Sequence, residues 1–268
     1  IHEQDFFDLT WAYLKKVHSQ NVIHVEVFFD PQTHTDRGVH FDVVINGIYK
    51  ALEKARIEFN MSFKLIMSYL RHLSEEEAFK TLESSLPYKH WIDGVGLDSS
   101  ELGNPPSKFE RVFKASADHG YQLVAHAGEE GPVEYIWEAL HLLNVVRVDH
   151  GNRCLDDQDL VQTLVEQKMG LTLCPLSNLE LKVISSMPEH PVLKMLEKGL
   201  LATIHSDDPA YFGGYMNENY YETAKALNLS VNHIEQLAVN AFEISWLDTS
   251  TKDVCIGKVR SYFQQFKS

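Results

Sequence analysis

Gln122-Leu123-Val124-Ala125-His126-Ala127-Gly128-Glu129 is the stretch that decides the fold class. A short apolar run ends at once in an imidazole, a glycine that lets the chain turn, and a carboxylate. This is a strand that delivers reactive side chains at its carboxyl end. The same design recurs on both sides of it. Val22–Phe29 is followed by Asp30, Ile92–Leu97 by Asp98 and Glu101, and Val145–Val148 by His150. Gly170–Leu173 is followed by Ser177 and Asn178, and Leu200–Ile204 by His205, Asp207 and Asp208, while Phe63–Leu70 is a further apolar run of the same kind. Between the runs the apolar spacing changes to three and four, as in Val43, Ile45, Ile48, Leu52 and Ala55, which predicts amphipathic helices. Ser74 with Glu77, and Ser107 with Glu110, mark helix starts, and Gly120 supplies a stop after His119.

Alternating strands and helices predict a parallel sheet and the α/β class. A doubly wound sheet and a closed barrel both satisfy that alternation, so the polar residues decide. A doubly wound fold gathers its ligand at one switch point, whereas here chemistry-bearing residues end nearly every strand and no Gly-rich phosphate loop occurs. The expectation is a TIM (β/α)8 barrel forming a single domain over residues 1–268. Such a barrel has eight strands. The sequence shows seven runs, with no room for another between them and only helix-like sequence after Pro209, so the first strand is expected to precede Ile1 and to be missing from this chain. Asn217–Leu227, Ser230–Ile244 and Val254–Phe266 read as extra C-terminal helices. Glu75-Glu76-Glu77 reads as a solvated first helical turn.

With 24 Lys and Arg against 38 Asp and Glu, the formal charge is −14, a field that repels a phosphate backbone and excludes nucleic acid as a partner. No run approaches the roughly 18–20 apolar residues that span a bilayer, so a soluble, cytoplasmic protein with no membrane partner is expected. The three cysteines, Cys154, Cys174 and Cys255, are odd in number and have no zinc-ribbon spacing, which suits a reducing compartment. A homo-oligomer is compatible with this composition.

Three motifs carry the chemistry: His126-Ala127-Gly128-Glu129, Asp149-His150-Gly151 and Ser206-Asp207-Asp208-Pro209. One such motif alone is weak, because a His after a strand is commonly structural; three in order at strand ends are not. Imidazole and carboxylate suit a divalent cation such as zinc, with a position left open for water. That cation lowers the pKa of bound water from 15.7 toward about 7. His126 and Asp207 are the candidate ligands. His150 is either a third ligand or the base that takes the water's proton. An aromatic amidine resists attack until a ring nitrogen is protonated, and Glu129 can supply that proton if burial raises its pKa. Asp208 can share a proton with a second ring nitrogen. The bland alternative for Asp207-Asp208-Pro209 is an ordinary helix start. Cys174-Pro175-Leu176-Ser177-Asn178 reads as packing and pocket wall, since no base can be paired with the thiol from sequence.

In that order the motifs resemble the adenosine and adenine deaminase family of barrel metal hydrolases, over about residues 3–226. Phe28-Phe29-Asp30-Pro31-Gln32-Thr33-His34-Thr35, Gly96-Leu97-Asp98-Ser99-Ser100-Glu101-Leu102-Gly103, Asp149-His150-Gly151 and Asp208-Pro209-Ala210-Tyr211-Phe212 resemble its adenine deaminase branch. The resemblance implies hydrolytic deamination of adenine to hypoxanthine and ammonia by a metal-bound hydroxide, a purine-salvage reaction. It implies His126 and Asp207 as ligands to one Zn²⁺ per chain, with iron as the other metal such sites hold. It makes Glu129 the proton donor, His150 the residue that activates water, and Asp208, Ser100 and Glu101 contacts for a small-molecule purine.

Two features depart from the family pattern. Members carry a His-x-His motif at the end of the first strand, and the fourteen histidines here include no such pair; the strand that would bear it is the one expected before Ile1. His205 stands where the family more often has Asn. Asp149, where adenosine deaminases usually have Gly, and Ser99-Ser100-Glu101 favour the free base by the same resemblance. The alternatives are adenosine deamination on the nucleoside and a non-catalytic purine-binding barrel. The second would most simply have lost Glu129 or His150, and both are present. A cytidine-type zinc deaminase is excluded by the absence of Pro-Cys-x-x-Cys.

Overall fold

The structure, a computed structural model, describes residues 1–267. Ile1–Ala125 with Leu140–Val145 form one compact unit, and His126–Ala139 with the residues from Val146 onward form a second. The chain runs through helix α1 (Glu3–His18), strand β1 (His24–Phe29), α2 (Gln32–Thr35), α3 (Phe41–Phe59), β2 (Ser62–Leu70), α4 (Glu75–Ser85), β3 (Gly94–Asp98), α5 (Glu110–Asp118) and β4 (Gln122–Ala127). It continues with α6 (Val133–His141), β5 (Arg147–His150), α7 (Gln158–Glu166), β6 (Gly170–Leu173), α8 (Pro175–Glu180), α9 (Val192–Glu197) and β7 (Leu201–Ile204). After β7 come α10 (Pro209–Phe212), α11 (Met216–Leu227), α12 (Val231–Glu243) and α13 (Thr249–Phe263).

Strand order follows chain order from β1 to β7. In the first unit Val25 pairs with Phe63, Leu70 with Asp98 and Gly94 with Gln122; in the second, Arg147 pairs with Gly170 and Leu173 with Ile204, all in parallel. A doubly wound sheet reverses its order at a switch point, and this one does not. The seven strands therefore have the β/α succession of the barrel class. Every residue of β3, β5 and β6 is buried, as residues of a parallel strand with both faces covered are. That is why these runs read as continuous rather than alternating apolarity.

The first unit depends on a close approach of α1 to α3. A Cβ at Gly47 would overlap the Glu3 carbonyl and lie 2.6 Å from Phe6 Cβ, so only glycine lets the two backbones meet. Gly47→Ala is expected to lower stability by about 1–3 kcal/mol, the usual cost of overpacking, despite alanine's better helix propensity. Thermal denaturation checks this, and an unchanged or raised Tm would show that the helices part without loss.

Two local expectations are revised. Ser74 Oγ does accept the Glu77 N–H at 3.2 Å, but Ser107 does not begin α5. A 3-10 turn occupies Pro106–Phe109, where a proline ring fixes φ, and α5 starts at Glu110 with Phe109 as its N-cap. The exposed-donor problem at that helix start is solved from elsewhere. Glu75 Oε1 accepts the Val112 N–H at 3.0 Å, and Glu75 Oε2 accepts from Arg111 Nε at 2.6 Å. Glu75 is buried, not a member of a solvated turn, because α4 brings its carboxylate onto the open N–H groups of α5. The C-terminal helices form as expected. Asn240 of α12, fully buried, donates to the Ala202 carbonyl of β7 at 2.9 Å.

Candidate active site

Strand β4 delivers His126 near its end, and the chain then turns at Gly128, whose φ is +69°. A Cβ there would lie 2.5 Å from Ile136 Cδ1, so glycine is needed both for the turn and for the contact with α6. The strand end is tied down by its neighbour: Ala127 O accepts from Gly151 N at 3.1 Å, and Gly128 O accepts from Arg153 N at 2.9 Å. These bonds fix where Glu129 emerges.

His150, the last residue of β5, is buried and has φ +65°. Asp207, just past β7, has φ +54°. Left-handed backbone is unfavourable for a residue with a Cβ and tends to mark positions where function overrides local preference. His150 Nδ1 lies 3.3 Å from Glu129 Oε1, and the rings of His126 and His150 meet edge to face at 4.5 Å between centroids.

Two overlapping sets of donors result. His126, Glu129 and His150 form one, His150, Cys174 and Asp207 the other, with the donor atoms of each set within 4.8 Å of one another. His150 belongs to both, and neither set contains both His126 and Asp207. Imidazole nitrogens and carboxylate oxygens at this spacing fit one divalent cation with bonds of about 2.0–2.2 Å. Burial, then the negative charges of Asp207 and Glu129, push the Cys174 thiol well above its ordinary range. It is a neutral thiol beside the cluster, without the activation a nucleophile needs.

Around Glu129 lies a polar chain that the sequence motifs do not announce. Asn178 Nδ2 donates to Glu129 Oε1 at 2.9 Å, and Asn152 Nδ2 donates to Asn178 Oδ1 at 2.8 Å. His190 Nε2 lies 3.4 Å from Asn178 Oδ1, and His190 Nδ1 accepts the Val192 N–H at 3.3 Å. Asn152, Asn178 and His190 are all buried. Asn178 is visible in sequence as a polar residue after the sixth run. His190 and Asn152 have no local signal, and folding alone brings them in.

The remaining residues fall as follows. Asp208 is exposed and is the N-cap of α10, with Pro209 in the helix's first turn. Its backbone carbonyl accepts from Tyr211 and Phe212, but its side chain does not cap the helix. The helix start is real, and the carboxylate is not used to make it. His205 is held on its own strand. Thr203 Oγ1 donates to Leu171 O at 2.9 Å, so it accepts from His205 Nε2 at 2.7 Å. Asp149, expected to favour the free base, is buried, and its Oδ1 accepts from Arg147 Nε at 2.9 Å and from Thr172 Oγ1 at 2.8 Å. Ser100 and Glu101 belong to the first unit, after β3, Ser100 exposed and Glu101 buried. Ser99, beside them, has φ +74° and its Oγ lies 2.8 Å from His72 Nδ1.

An all-parallel β/α fold with histidine and carboxylate donors at its strand ends defines a hydrolase of the metal-assisted barrel class. The family model for adenosine deaminase matches residues 1–262, and the chain belongs to that family. It is 55% identical over 264 residues to an adenine deaminase of Hahella chejuensis, covering 98% of this chain and 79% of that protein. To an adenine deaminase of Wolinella succinogenes it is 56% identical over 252 residues, 94% of this chain and 76% of the relative. The crystal structure of adenine deaminase from Arthrobacter aurescens superposes with a TM-score of 0.96 at 44% identity, covering 98% of this chain and 80% of that one.

Proposed function

We propose that this enzyme deaminates adenine hydrolytically, giving hypoxanthine and ammonia. The observation that carries the reading is its identity of 54–56% to several adenine deaminases over nearly the whole chain. The donor cluster around His150 supports it. In this reading His126 and Asp207 hold the metal, a zinc ion or iron, one per chain. When bound, that ion acidifies a water molecule and so makes a nucleophile available at neutral pH.

The chain's own residues handle the protons. Glu129 gives a proton to a ring nitrogen of adenine, which makes the amino-bearing carbon open to attack. His150 takes a proton from the attacking water. Glu129 is then a carboxylate and His150 an imidazolium, with Nδ1 and Oε1 3.3 Å apart, so the two charges created by the proton transfers stabilise each other. The leaving amino group recovers a proton from His150 and departs as ammonia, and the hydroxyl proton of the adduct returns to Glu129 as the carbonyl of hypoxanthine forms. Asp208 anchors a second ring nitrogen, and Ser100 and Glu101 contribute to purine binding. The three free, buried thiols suit a cytoplasmic setting, and no described helix is long and apolar enough to cross a membrane.

Ammonia release from adenine and from adenosine by the zinc-loaded enzyme tests the substrate. The expected kcat/KM for adenine exceeds that for adenosine by about 100-fold or more, a ratio within reach of a pocket shaped to one substrate. Equal or better turnover of adenosine would move the assignment to the nucleoside.

A further inference from the structure

Glu129 Oε1 is approached by Asn178 on one side and His150 Nδ1 on another, and Asn178 is itself held by groups outside the donor cluster. A carboxamide has a donor end and an acceptor end of nearly equal shape, and its neighbours decide which end faces which way. The Asn152 amide cannot decide this for Asn178, because Asn152 can itself flip and present either end. His190 can.

The reason is its tautomer. The Val192 N–H points at His190 Nδ1, 3.3 Å away, so that nitrogen must be the bare one, and a neutral ring then carries its proton on Nε2. Burial lowers the pKa of His190 to about 4, which keeps the ring neutral in the working range. Nε2–H faces Asn178 Oδ1 at 3.4 Å. The carbonyl end of Asn178 is thereby assigned to His190, and its NH₂ end is turned on Glu129 Oε1 at 2.9 Å. In a protonated carboxyl the carbonyl oxygen is the better acceptor, so a donor fixed on Oε1 favours the acid proton on Oε2.

On the reading that Glu129 is the proton donor, we infer that His190 is a positioning residue for it. Through Asn178 it commits Oε1 to accepting, so that the proton delivered to the purine ring is carried on Oε2. The chain from the Val192 backbone through His190 and Asn178 transmits no proton. It removes a degeneracy that would otherwise leave Glu129 with its proton on the wrong oxygen part of the time. No ligand or metal contact is assigned to His190.

A double-mutant cycle on the zinc-loaded enzyme tests this. His190→Phe keeps the ring volume and removes both nitrogens; kcat with adenine should fall about 10-fold, the equivalent of one lost positioned hydrogen bond, with KM within about twofold and zinc content unchanged. His190→Gln, whose amide can still donate to Asn178, should recover most of that loss. In a Glu129→Gln background, His190→Phe should have no further effect on kcat. Wild-type kcat in His190→Phe, or an equal fold-loss in both backgrounds, overturns the inference and leaves Glu129 as the acid. Full activity in Glu129→Gln alone removes the acid assignment and the inference with it. If His190→Phe does not fold, Asn178→Asp substitutes: it has the same shape but turns an oxygen on Oε1, and a kcat reduced about 10- to 100-fold with zinc retained supports the inference, whereas unchanged kcat overturns it.

Discussion

Glu129→Gln is expected to lower kcat for adenine by about 10²- to 10⁴-fold while metal content stays at the wild-type level. Gln keeps the length and planarity of the side chain, and its Oε1 can still accept from Asn178, which in the native protein donates to Glu129 Oε1 at 2.9 Å. What it cannot do is release a proton to the ring, or leave behind a carboxylate to face a protonated His150 3.3 Å away. Both losses fall on the transition state, so KM should change little. Metal analysis of the purified variant with steady-state kinetics measures the two quantities. Loss of metal would make Glu129 a ligand, and full activity would make it a bystander.

Asp207→Asn should produce the opposite pairing, with metal and activity lost together. Asn is the informative replacement because Asp207 has φ +54°, a conformation that Asn tolerates and Ala resists. The fold is therefore kept while one negative charge is taken from the cation. Metal affinity should weaken by about 100-fold or more, beyond the 10- to 100-fold typical of losing a group that merely supports a ligand. Titration with zinc followed by activity at saturating metal separates weakened binding from impaired chemistry. Wild-type metal affinity would remove Asp207 from the ligand set and leave the second donor group, with His150 and Cys174, without its carboxylate.

The fold class was legible because parallel strands buried on both faces need unbroken apolar runs, and all seven runs became strands, with boundaries shifted by up to two residues. Val145–Val148 slid forward to Arg147–His150, since Arg147 and Asp149 neutralise each other within the strand and so lie buried despite their charge. Capping was legible where it is local, as at Ser74, and illegible where it is tertiary, as at Glu75, whose partners are 36 and 37 residues away.

By itself the sequence determined the succession of strands and helices and which strand ends carry imidazoles and carboxylates, because both are properties of short segments: apolar period and residue type. Only the tertiary structure decided which of those groups meet. His126, Glu129 and His150 come from two strand ends, Asn178 and His190 from the segments after β6, and their relation depends on strand register and on backbone bonds such as Gly151 N to Ala127 O. The proton placement on His190 depends on one backbone N–H two residues further on, at the first residue of α9. Hydrogen bonds act over about 3 Å while the residues they join lie 12 to 49 positions apart, so no window of sequence short enough to read by pattern contains both ends.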